Sequence, residues 1–139
     1  MPNEKIEYVK FNDELLAIVI RRAYDEKGIN FLTPLDLTLQ FGIHNRESGE
    51  QSKPHKHFII PQLTNIPILE VFYIVEGKAK VTFFDDNSKV LGSVLLEMGD
   101  SLINTGIRTH SVDYIGKTKM IEIKQGPYMG KDKDKIASS

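Results

Sequence analysis

The chain holds four histidines and no cysteine. Disulfides, thiol nucleophiles, iron–sulfur clusters and cysteine-type zinc sites are therefore excluded, and any metal must be held by His, Asp or Glu. The histidines are His44, His55, His57 and His110, and the tightest cluster is Pro54-His55-Lys56-His57. In an extended chain, positions i and i+2 share a face with Cα atoms about 6.6 Å apart. Two imidazoles at that spacing can close on one cation at about 2.0–2.1 Å from each ring nitrogen. Lys56 then faces the other way, where its charge does not oppose a metal. Histidines on a solvent-exposed rim are the alternative reading of the same pair. Gly49 lies six positions before His55, Glu70 seven before Gly77, and Gly99 eleven before His110.

The elements that would carry these residues are read from periodicity. Leu15, Ile18, Val19 and Arg22 fall on one helical face, with Leu16, Ile20 and Ala23 beside it. Asn12 or Asp13 stands ready as a cap and Gly28 follows, so a short helix is expected over about 13–24. The β-branched run Ile18-Val19-Ile20 pulls the same segment towards strand. Leu35, Leu37, Leu39, Phe41 and Ile43 then alternate with polar residues and Gly42, which predicts a strand with one face in a core. Residues 45–54 read as a loop, and an extended pattern resumes at 55–60. Pro61 and Pro67 bracket a further loop. Strands are expected over 70–75, 79–84 and 90–96, the last two joined as a hairpin by Asp85-Asp86-Asn87-Ser88. Short strands at 101–104, 110–115 and 119–124 follow, separated by turn signals. Such spacing predicts an all-β sandwich or barrel. The polar end, about 129–139, reads as a solvated tail.

A length of 139 residues with 40% hydrophobic and 27% charged composition is that of one ordinary globular domain. Eighteen basic against 19 acidic side chains give a net charge of -1, which argues against nucleic acid or a membrane surface as partner. The N-terminus lacks the layout of a secretory signal and the apolar runs are too short to span a bilayer, so a cytoplasmic protein is expected.

The spacings G-x5-H-x-H, E-x6-G and a Gly-Asp eleven residues before a histidine resemble the two motifs of the cupin superfamily. The resemblance implies a double-stranded β-helix, or jelly-roll barrel, over about 33–125 of a single domain spanning 1–139. It implies His55, His57, Glu70 and His110 as ligands of a divalent transition metal (Fe, Mn, Ni, Co, Cu or Zn). Thirteen positions separate His57 from Glu70, where the family has four or five; a longer loop over 58–69 absorbs the excess. The alternative places another acceptor, such as Gln62, in Glu70's role. In the second motif Thr105, Ile107 and Tyr114 stand where the family has Pro, Gly and Asn. Closer resemblance is to small single-domain cupin metalloproteins of O-antigen and surface-polysaccharide gene clusters. It is carried by Pro54-His55-Lys56-His57, Glu70-Val-Phe-Tyr-Ile-Val-Glu76-Gly77, Phe84-Asp85-Asp86 and Glu122-Ile-Lys124-Gln-Gly-Pro-Tyr128.

Arg108, two positions before His110, could meet a phosphate or carboxylate at the pocket mouth, or be a solvated loop arginine. Tyr128, after Gly126-Pro127, either plugs the barrel end or touches substrate. Lys124 is expected to face water, with Glu122 beside it in a rim ion pair, and His44 to lie on the surface. Three functions are compatible with these readings: a metal-dependent cupin acting on or binding a small carbohydrate-derived ligand, a metal-independent sugar-nucleotide isomerase or epimerase with histidine as base, and a non-catalytic ligand-binding or sensor module. A homodimer is expected, since antiparallel barrels with a free edge often pair.

Overall fold

A computed structural model describes residues 5–51, 53–56 and 67–125. These contain eight strands: β1 (Ile6–Phe11), β2 (Glu14–Ile20), β3 (Gly28–Phe31), β4 (Gly42–Asn45), β5 (Glu70–Phe84), β6 (Val90–Glu97), β7 (Ser101–Asn104) and β8 (Thr109–Lys124). There is no helix among the described residues. The chain divides into two compact units, one made of Met1–Tyr24 and Ile68–Ser139, the other of Asp25–Pro67.

The helix expected at 13–24 is a strand. Asn12, at φ 54, and Asp13 form the two-residue turn of the β1–β2 hairpin rather than a helix cap, with Phe11 opposite Glu14. Leu16 to Ile20 are all buried, so the segment needs apolar side chains on both faces. A continuous apolar run satisfies a helical period and a central strand alike, and here the β-branched residues and a partner on each side decide for strand.

The first unit is a strongly curled antiparallel sheet, a half-barrel, in the order β1-β2-β7-β5-β6, with β8 along the other edge of β5. β5 and β8 are each one long strand where two short ones are expected. Gly77, expected to end a strand, sits inside β5 at φ +87, within the second of two irregularities, at 74–76 and 76–78. There the β5–β8 ribbon turns without breaking. The first part of β5 therefore pairs with β7 and the end of β8, and its last part with β6 and the start of β8. The curl brings the ends of the path together: β1 meets β6, and Arg21 after β2 donates to the Leu95 carbonyl at 3.0 Å. The same guanidinium pairs with Glu7 and with the buried Asp100, whose carboxylate also accepts from the Arg22 and Glu97 backbone N–H groups. The concave side is filled by Leu16, Val19, Phe72, Ile74, Val81, Phe83, Leu96 and Leu102. The hairpin expected across Asp85–Ser88 is present: the Asp85 carboxylate accepts from the backbone of Asn87 and Lys89, closing the turn.

In the second unit β3 pairs with β4, and among the described residues with no other strand. The strand expected from Leu35 to Ile43 is instead a loop followed by four strand residues. Pro34 starts a turn, with Leu37 N–H donating to the Pro34 carbonyl at 3.2 Å. The Gln40 amide then donates to the carbonyls of Pro34 and Leu37, and the Thr33 hydroxyl donates to the Gln40 oxygen. These bonds satisfy the backbone locally, in competition with a sheet ladder.

Candidate functional site

Strand register places the site. On the concave face of the first unit, Glu70 lies between Asn104 on β7 and Lys124 on β8, and the next row sets Phe72 between Leu102 and Glu122. His110 enters from the start of β8, opposite Phe83. The curl of the ribbon carries it over the other half of the sheet, and its ring centroid is 6.0 Å from that of Phe72. His110 Nε2 consequently stands 3.4 Å from Glu70 Oε1, forty residues away in sequence.

Asn104 completes this cluster. It is 1% exposed, and its NH2 group donates to Glu70 Oε1 at 3.0 Å and lies 3.3 Å from His110 Nδ1. Its oxygen accepts from the Gly106 backbone N–H at 3.1 Å. Glu70 is well covered, its side chain 14% exposed. Burial, and then a hydrogen bond with the Glu122 carboxyl, push its acid constant up to about 7, while Asn104 and the charge of Lys124 pull the other way. Glu70 thus exchanges its proton near neutrality.

These groups line a cavity of 590 Å³. Every even-numbered residue of β8 from His110 to Tyr114 and from Met120 to Lys124 faces it, because the strand wraps the space with one face. Phe72, Val112 and Met120 supply apolar wall beside a few polar groups, the usual composition of a small-molecule site. Lys124 and Glu122 belong to this wall, Glu122 with its side chain still 42% exposed, and they form the expected ion pair, at 3.9 Å. Arg108 also reaches the cavity, but its guanidinium fork is engaged by Glu14, at 2.8 and 3.2 Å. An incoming anion would compete there with a carboxylate already in place.

Of the four ligands expected from the sequence, Glu70 and His110 come together. Two donors about 2.1 Å from one ion at a near-tetrahedral angle stand about 3.4 Å apart, which is their separation here. One carboxylate and one imidazole fit a divalent first-row metal as part of its shell. His55 belongs to the other unit and is exposed, with Nδ1 donating to the Lys53 carbonyl at 2.8 Å, which leaves the lone pair on Nε2. His57, Gln62 and Tyr128 lie outside the described residues. Among the described residues no group of three or more His, Asp or Glu is placed to hold a metal. His44 is exposed on β4, as expected of a surface histidine.

Sequence reasoning missed Asn104, and it paired Glu122 with Lys124 without placing either on the cavity wall. The signal for Asn104 was available: it ends the strand Ser101-Leu-Ile-Asn104 at the parity of Leu102, so its amide must face the core. For Glu122 the parity with Lys124 was read correctly, but which face of β8 is concave follows only from the curl. No helix among the described residues is long and apolar enough to cross a membrane. Comparison with protein-family models, with curated proteins and with solved structures found no match to this chain.

Proposed function

We propose that this chain is a cupin-type jelly roll whose cavity binds a small carbohydrate-derived ligand beside a divalent transition metal, with Glu70 and His110 as two of the metal's ligands. The observation that carries the reading is the meeting of these two side chains, 3.4 Å apart on the wall of a 590 Å³ cavity. The other two ligands in the proposal, His55 and His57, come from the sequence pattern alone. The splitting of β5 and β8 between two halves of the sheet supports the jelly-roll assignment. When bound, the metal would supply Lewis acidity towards a ligand oxygen. The chain's own groups do the rest: Lys124 orients polar substituents, Asn104 holds Glu70 and His110 in place, Phe72 and Val112 exclude water, and Glu122 hydrogen-bonds to Glu70 and favours its protonated form.

A second reading is favoured by the high acid constant of Glu70. A carboxyl group that exchanges its proton near neutrality, next to an imidazole, can move a proton on a sugar ring without a metal. Elemental analysis of protein purified without chelator separates the two. Stoichiometric metal in the wild type, lost in Glu70→Gln and His110→Ala, is the expected result. A metal-free protein that still converts a sugar nucleotide overturns the metal reading in favour of proton transfer. Thermal shift and turnover are measured together over the same sugar-nucleotide panel. Binding without conversion reduces the function to a ligand-holding module.

A further inference from the structure

Asn104 has a consequence for His110 that rests on reading Glu70 and His110 as the reactive pair. The Gly106 backbone N–H can meet only the amide oxygen of Asn104, at 3.1 Å, which turns the NH2 end towards Glu70 Oε1 and His110 Nδ1. An NH2 group has only hydrogens to present, so Nδ1 must face it with a lone pair. A neutral imidazole with its lone pair on Nδ1 carries its proton on Nε2, the nitrogen 3.4 Å from Glu70 Oε1. The opposite tautomer would set N–H against N–H beside a side chain that is 1% exposed, where water cannot relieve the mismatch.

We propose that Asn104 is a positioning residue that selects the Nε2-protonated tautomer of His110 in the metal-free site, so that the ring presents its N–H to the Glu70 carboxylate. For Nε2 to ligate a cation the proton must move to Nδ1, and the amide must then turn its oxygen to that nitrogen. Gly106 is exposed, so water can take over its N–H when the amide turns. Asn104 therefore sets the resting state from which either chemistry of the site begins.

The test is nitrogen-15 imidazole spectroscopy of the metal-free, full-length chain at about pH 8, where histidines are generally neutral. The wild type is expected to show His110 with a protonated Nε2 and an unprotonated Nδ1. Asn104→Asp offers an acceptor, and Nδ1 should gain the proton. Asn104→Leu, of similar size, removes the preference, and the Nδ1 signal should move to a position between the two tautomers. A wild-type His110 protonated at Nδ1, or an unchanged pattern in both variants, overturns the proposal. Zn2+ uptake by the wild type is scored separately: its absence defeats the metal reading and leaves the tautomer result standing.

Discussion

The two units of the chain draw on similar apolar patterns and use them differently. In the first, alternating or continuous apolar residues of β2, β5 and β7 are buried against one another, and the ladder of each strand is completed by neighbours on both sides. In the second, the alternation from Leu35 to Ile43 is as regular as any in the chain, yet Leu35 is 94% exposed and Phe31 and Ile29 are also exposed. Its described residues are held mainly by polar bonds, with Gln40 and Thr33 closing one loop and Asn45 donating to the Asp25 carbonyl. A period of two is thus a condition for a strand and not its cause. The cause is a neighbouring edge together with a face to bury.

Substitutions break this contrast with graded force. The largest loss is expected for Phe83→Ala, which empties the concave core beneath His110: about 3–5 kcal/mol from the midpoint of urea unfolding. Gly77→Ala comes next, at about 2–4 kcal/mol. The new Cβ would strike the Lys117 carbonyl and Thr118 at a backbone angle of φ +87. Gly49→Ala, in the second unit at φ +90, meets nothing within 4 Å and should cost only about 1 kcal/mol of backbone strain. Equal costs for the two glycines would mean that the bend in β5 is not sterically enforced.

Glu70 gives a pH signature confined to the first unit. Its folded acid constant, about 7, lies above the value of about 4.3 for an unfolded glutamate, so between those limits the folded chain binds the extra proton. Stability therefore falls as pH rises from about 4.5 to about 7, by about 1–3 kcal/mol, and is fully recovered on acidification through the same window. Urea titrations of the wild type and Glu70→Gln should converge below about pH 4 and separate near pH 8, with the variant then the more stable. Parallel curves would show that Glu70 ionises as freely as in the unfolded chain. The smallest effect is expected at Leu35→Ser, within about 0.5 kcal/mol; a cost above about 1 kcal/mol would mean that Leu35 is covered by something.

Much of this was legible before any coordinates. Asp85 to Ser88 marked a hairpin because turn residues stand there between two strand patterns, and the all-β class followed from the spacing of short strands with turn signals between them. Two errors share one origin. Leu16–Ile20 fits a helix and a central strand equally, and 35–43 fits a strand that its surroundings do not accept. In each case the deciding interaction is with residues far along the chain, which a local period cannot contain.

What the sequence determined by itself is chemical: a metal, if held, must be held by His, Asp or Glu, with Glu70 and His110 among the candidates that the motif resemblance implies. What only the tertiary structure decided is adjacency. The bend at Gly77 folds one end of the β5–β8 ribbon over the other, bringing His110 to Glu70, which strand pairing already holds beside Asn104. The same curl puts Glu122 and Lys124 on the cavity wall. Side-chain alternation says which residues share a face, but the sign of the sheet's curvature says which face is inside, and that sign is set by packing across the whole sheet.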